Sequence, residues 1–225
     1  MKGIWILLLL ILAATLPAII VFFWFRSKRS AVTLPWFMAA ITAGIVSVLA
    51  AALIQRFFPL GGVGIWKLFF GVFVRAALVE ELSRVVTLIP FLFFIKEVQS
   101  QNTDISFGAA LGLASGLGFA IIENAFFGQK TSDLGIILLR SFTAAPLHAA
   151  CGIRAGMAVF IFTENKGKAF FYFISAVLIH GAYNLMIVSP AIPSLLALPT
   201  ALAAFFASLT YIHKSFKQEK GDEQW

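Results

Sequence analysis

Apolar stretches separated by short polar or turn-rich pieces organise this chain from end to end. They run approximately over Ile4–Phe25, Thr33–Phe57, Trp66–Ile95, Ile105–Phe127, Leu134–Thr163, Ala169–Val188 and Ile192–Ile212. Each is long enough, as a helix, to cross a hydrocarbon core of about 30 Å, so the pattern predicts an all-α, polytopic bundle of about seven transmembrane helices. The pieces between them are Arg26-Ser27-Lys28-Arg29-Ser30, Pro59-Leu60-Gly61-Gly62, Lys96 to Asp104, Gly128 to Asp133, Glu164 to Lys168 and Ser189 to Pro193. None has room for a soluble domain. The first stretch has the length of a signal peptide, but its cations follow the apolar run, which favours a retained helix.

Composition agrees. With 60% hydrophobic residues, 12% charged residues and a mean hydropathy of +0.95, the chain has more apolar surface than a soluble core of 225 residues hides. Charge sets the orientation. With the amino terminus outside, nine cations (Arg26, Lys28, Arg29, Lys96, Lys166, Lys168, Lys214, Lys217, Lys220) fall on the cytoplasmic side, against four outside (Lys2, Arg56, Lys67, Lys130). The net charge of +7 thus reflects a positive-inside topology and a basic tail suited to anionic lipid, and no nucleic-acid-binding signature is present. The single cysteine, Cys151, excludes an internal disulfide or a multi-thiolate metal site within one chain and reads as a buried packing residue. No internal repeat is evident, which weakens an inverted-repeat transporter.

The most informative polar positions are Glu80 and Glu81, side by side inside an apolar stretch. Inserting one centrally placed Asp, Lys or Arg costs roughly 2.5–3.5 kcal/mol, and adjacent carboxylates repel each other, so the pair needs compensation. Arg75, Arg84, Glu123, Asn124, Arg140, His148, Arg154, His180 and Asn184 also lie within the apolar stretches and must face protein or water. Arg84 lies four residues after Glu80, so its guanidinium is expected against Glu80, leaving Glu81 about 100° round the helix and available. A structural ion pair pinning two helices is the competing reading. Gly108, Gly112 and Gly116 form a ridge for close helix packing, and Glu123, seven residues beyond, falls on nearly the same inward face. Asn124 follows it with an amide to offer; a carboxyl snorkelling to water is the alternative for Glu123. His148 follows Pro146 by two residues, and His180 and Asn184 share a face one turn apart. Counted at 1.5 Å per residue along straight helices, Glu80, Glu81 and His148 lie about 20 Å from the outer ends, His180 and Asn184 about 6–12 Å and Glu123 about 6 Å.

These residue types suit peptide-bond hydrolysis, which needs a nucleophile, a base, donors for the oxyanion and a proton for the leaving amine. Glutamate and histidine supply the acid-base work, Asn184 and a protonated His180 the oxyanion donors, and water the nucleophile. Alternatively, His148, His180 and one or two glutamates hold a Zn²⁺ with an open position. There is no His-Glu-x-x-His, no intramembrane aspartate pair, and Ser115 lacks the glycine two residues before it that a rhomboid-type serine requires.

The run Glu80-Glu81-Leu82-Ser83-Arg84, Gly118 to Asn124, Pro146-Leu147-His148 and His180-Gly181-Ala182-Tyr183-Asn184 resembles the PrsW family of intramembrane proteases, in one superfamily with the CAAX prenyl endopeptidases and bacteriocin-processing proteins. The resemblance covers about residues 66–188. It implies a glutamate-dependent metalloprotease of the prokaryotic cell (inner) membrane that cuts a membrane protein or lipid-linked peptide, with anti-sigma-factor-type signalling as the best-known role. It further implies Glu80, Glu81, His148, His180 and Asn184 as catalytic, Arg84, Glu123 and Asn124 as supporting, and Glu81, Glu123, His148 and His180 as ligands of any Zn²⁺. The expected division is an N-terminal helix and basic loop (1–30), a membrane-embedded protease unit (31–212) and a basic, polar cytoplasmic tail (213–225). Two departures stand out. Arg84 replaces a common lysine, and Phe127 replaces a frequent tyrosine; if that hydroxyl contributes in relatives, another donor is needed here, with Tyr183 as the sequence candidate. An ion- or proton-coupled carrier and a non-catalytic membrane scaffold are the alternatives from other classes; the residues do not indicate an oligomeric state.

Overall fold

A computed structural model describes residues 15–24, 33–58, 64–98, 105–131 and 134–222. The basic cluster Arg26 to Ser30, the Pro59 to Gly62 turn and most of the first apolar stretch lie outside the described residues. The described helices are α1 (Thr15–Trp24), α2 (Leu34–Gln55), α3 (Ile65–Phe69), α4 (Val79–Val98), α5 (Ile105–Thr131), α6 (Leu134–Phe142), α7 (Ala144–Ile161), α8 (Lys166–Val188) and α9 (Ala197–Asp222). A π-helical segment, Phe70–Leu78, joins α3 to α4 without a break, and one 3₁₀ turn, Ser194–Leu196, precedes α9. No strand occurs among the described residues. Five spans, Leu34–Gln55, Phe107–Thr131, Leu138–Ile161, Lys166–Val188 and Ser194–Tyr211, are long and apolar enough to cross a membrane. The protein is an integral membrane helix bundle.

At its centre α5 and α7 run against each other with almost no side chain between them. A Cβ added at Gly112 would overlap the carbonyl of Gly152, one at Gly116 the carbonyl of His148, and one at Gly156 the carbonyl of Gly108. The glycine ridge of α5 thus meets a second ridge, Gly152 and Gly156 on α7, and dispersion between close backbones replaces the hydrophobic drive that lipid removes. The opposite side of α5 accepts α2 equally closely, with Gly44 against the Ser115 carbonyl and Gly118 against the Ile41 carbonyl. α8 and α9 pack on α7, and α4 lies across α2 and α7.

Two local features depart from the straight rods expected above. The stretch from Leu134 to Thr163 is broken: α6 ends at Phe142, Thr143 takes φ −117° and ψ −65°, and α7 begins at Ala144. Pro146 explains the break. Its ring collides with the carbonyl four residues earlier, that of Phe142, whereas in the first turn of α7 its missing N–H costs nothing. The second feature is α5, which continues through Gly128 to Thr131, where a loop was expected, because one glycine near a helix end is tolerated.

Candidate active site

The site gathers side chains from α2, α4, α5, α6, α7 and α8. Glu80 and Glu81 open α4 directly after the π-helical segment, whose Phe73 ring fills the space a side chain at Gly181 would need. That contact brings the first turn of α4 against α8 at His180. Glu81 is fully buried, with Oε1 2.8 Å from His180 Nδ1 and Oε2 accepting from Arg84 Nη1. Arg84 therefore pairs with Glu81, not with Glu80 as the four-residue spacing suggested; positions three apart share a face as well, and Glu81 is the one directed into the bundle.

Glu80 stays apart from the guanidinium. Its Oε1 accepts from Gln55 Nε2 at 3.0 Å, while Oε2 is buried, makes no hydrogen bond and lies 3.5 Å from His180 Nε2. His180 is thus bracketed by the two glutamates. Its ring stands 5.0 Å from that of His148, nearly perpendicular at 89°. His148 Nε2 is 2.7 Å from Glu123 Oε2 and its Nδ1 is 3.4 Å from Arg84 Nη2, while Phe119 flanks the ring at 4.8 Å. The same Phe119 ring lies 4.7 Å below the Arg84 guanidinium carbon. Arg84 is completely buried, with its Nε left without a partner.

The Glu123 side chain is 26% exposed and joins α5 to α6 as well as to α7. Arg140 Nη2 donates to Glu123 Oε2 at 2.7 Å, Arg140 Nε donates to Asn124 Oδ1 at 2.9 Å, and the guanidinium sits 3.9 Å from the Phe127 ring centroid. Phe127 therefore serves as a face for Arg140. Tyr183 does not replace the missing phenol in this cluster: its hydroxyl donates to Thr143 Oγ1 at 3.2 Å, and its ring packs with Leu147 and Cys151 at the helix break. Asn184 is half-buried, and its side chain makes no hydrogen bond among the described residues. Cys151 is buried in that apolar cluster, consistent with a packing role.

The break at Thr143 also accounts for the mismatch in depth. Counting from Leu134 along one rod places His148 too far from Glu123; with the interruption at Thr143, His148 lies in the first turns of α7, where its Nε2 meets Glu123. Gln55 and Arg140 are members of the cluster that sequence reasoning did not assign to the site. Arg140 carried a signal as a cation within an apolar stretch, whereas Gln55, at a helix end, carried none.

Ligand atoms of Glu81, His148 and His180 all lie within 4.8 Å of one another. Two imidazoles and one carboxylate, three protein donors that leave a position open, are the set a catalytic zinc takes, and the buried carboxylate oxygen of Glu80 borders it, so the residues present fit a divalent ion. Glu123 lies outside that set, as the partner of His148 and Arg140. A separate cavity of about 400 Å³ between α4, α7 and α8 begins at Leu82 and is walled by apolar side chains such as Val85, Ile89, Phe162 and Phe173. It carries no titratable group except Lys166 and has no chemistry of its own.

Comparison with known proteins points the same way. The sequence profile described as "PrsW family intramembrane metalloprotease" matches residues 31–212. The chain is similar to Protease PrsW of Clostridioides difficile (strain 630), with 29% identity over 193 residues, 79% of each chain. No solved structure matches it.

Proposed function

Because the chain belongs to the PrsW family of intramembrane metalloproteases, we propose that it hydrolyses a peptide bond of a membrane protein or lipid-linked peptide in the cell membrane, with Glu80 as the base that activates water. The observation carrying this reading is the inequivalence of the two glutamates. Both oxygens of Glu81 are occupied, by His180 and by Arg84, whereas Glu80 presents Oε2 without a hydrogen bond beside His180 Nε2. A carboxylate oxygen buried without a donor is stabilised by no hydrogen bond, which keeps it basic and leaves it open to the proton of an attacking water.

Zn²⁺ is the proposed metal, held by Glu81, His148 and His180. An ion held there would supply Lewis acidity and lower the pKa of a water beside it. The chain's own groups do the rest. Glu123 fixes the tautomer and orientation of the His148 ring through Nε2, as the carboxylates behind ligand histidines do. Glu80 takes the proton of the attacking water at Oε2 and passes it to the leaving amine. Asn184, on the turn after His180 and with no side-chain hydrogen bond among the described residues, donates its side-chain amide to the developing oxyanion. The proposal extends to cleavage of a membrane-bound anti-sigma factor, the role that the resemblance of the motifs implies.

Metal analysis of purified protein beside cleavage of a co-expressed single-pass membrane substrate tests this. Wild type is expected to carry zinc and to cut. Glu80→Gln should keep the metal and lose about 10²- to 10⁴-fold in rate, while His148→Ala and His180→Ala should lose both. Undiminished cleavage in all three variants overturns the assignment, and zinc that survives loss of either histidine overturns the metal site.

A further inference from the structure

We propose that Gln55, at the end of α2, is a positioning residue for Glu80; this rests on the reading of Glu80 as the group that activates water. Among the described residues, α2 makes no hydrogen bond to the cluster except through this side chain. The turn that carries Gln55 is otherwise suited to lipid, with Leu53 58% and Phe57 82% exposed, yet the Gln55 side chain is half-buried and directed at α4. Its Nε2 donates to Glu80 Oε1 at 3.0 Å, so Oε1 has a fixed donor and Oε2 is the oxygen left beside His180.

The chemistry of the amide matters. A carboxylate free to rotate about its terminal torsion presents either oxygen to a water, because that torsion is broad and roughly two-fold. One neutral donor on one oxygen removes that freedom. A cation in the same place would orient the carboxylate too, but it would also draw on the negative charge that makes the group a base; Arg84 does this to Glu81. Gln55 orients Glu80 without neutralising it. Gln55 thus separates the roles of two adjacent glutamates: the one with a guanidinium beside it holds, and the one with an amide beside it reacts.

The test uses full-length protein in proteoliposomes with quenched-fluorescent single-pass peptides, built on a leucine–alanine span with varied flanks; the peptide wild type cleaves fastest becomes the probe. Gln55→Leu removes the donor, and Gln55→Met does so at nearly the same length and shape, which guards against a folding defect in either. Both should lower kcat about 10- to 100-fold with KM within about twofold, the size expected for an outer group that orients a reacting one. Infrared difference spectra of ¹³C-glutamate-labelled protein supply a second readout. Gln55→Met should shift a carboxylate stretch, and the shift should vanish when the substitution is made in Glu80→Gln protein. Wild-type kcat in both variants, or an infrared change that persists without Glu80, overturns the role of Gln55 alone. If wild type cleaves none of the peptides, or Glu80→Gln cleaves as wild type does, the reading of Glu80 falls and that of Gln55 with it.

Discussion

Glu123 touches two partners of opposite kind, a histidine that can accept or give a proton and a guanidinium that cannot, and the second explains an oddity at position 127. Arg140 bridges Glu123 and Asn124 in a fork and rests on the Phe127 ring at 3.9 Å, so an aromatic face is used at Phe127 and a hydroxyl is not. Phe127→Tyr is therefore expected to leave cleavage unchanged, whereas Phe127→Leu removes a cation–π contact of about 0.5–2 kcal/mol. Arg140→Leu should cost about 10- to 100-fold in rate by freeing the Glu123 carboxylate that orients His148, measurable on the same peptide substrate. The acids, the histidines and Arg84 were visible in the sequence because each is a cost that an apolar stretch does not carry without compensation. Their pairings were not. Arg84 at three residues from one glutamate and four from the other shares a face with both, and only the direction of the first turn of α4 decides for Glu81. Gln55 was invisible for the opposite reason: a glutamine at a helix end costs little, and its partner lies 25 residues away.

At the scale of elements, the side chains of the candidate site are held by helices that approach closer than side chains normally permit. Gly112 and Gly152 face each other across α5 and α7, so Gly112→Ala inserts a methyl where the Gly152 carbonyl stands and should cost about 1–3 kcal/mol or more. Gly167→Ala, where the nearest atom outside the helix's own backbone is Asn165 Oδ1 at 3.5 Å, is the control and should be neutral or slightly stabilising. Thermal unfolding in detergent, scored by loss of the folded species, separates the two. A Gly112→Ala protein with the melting temperature of wild type argues against the packing described. The α5 ridge could be read from its spacing of four, and its partner on α7 from nothing but the same spacing at Gly152 and Gly156. The π-helical segment before Glu80 and the break at Thr143 could not be read. Hydrophobic periodicity does not distinguish a rod from a rod with a widened turn, and a proline marks the neighbourhood of a break without saying whether the chain kinks or restarts. Both matter to the site. One immediately precedes Glu80 and Glu81, and the other lies five residues before His148.

For the molecule as a whole, the cluster draws on the last turn of α2, the first of α4, the later half of α5, the first turns of α7 and the later half of α8, so it lies towards one end of the bundle. Which side of the membrane that end faces decides which part of a substrate can be cut. Lys96 near the end of α4 and Lys166 and Lys168 at the start of α8 lie at the opposite end, and the positive-inside rule predicts that the opposite end is cytoplasmic and the cluster in the outer half of the membrane. The single native cysteine makes the test clean, because Cys151 is buried and should not react. Gln129→Cys places a thiol at an exposed position beyond Glu123, and Thr163→Cys places one at the exposed turn between α7 and α8. A membrane-impermeant maleimide added to intact cells is expected to label position 129 at once and position 163 only after permeabilisation. The reverse pattern would put the glutamates on the cytoplasmic side and redirect the search for a substrate to cytoplasmic juxtamembrane segments. Labelling at both positions before permeabilisation would contradict any topology in which α6 and α7 together cross the bilayer, since these residues lie at the two ends of that crossing.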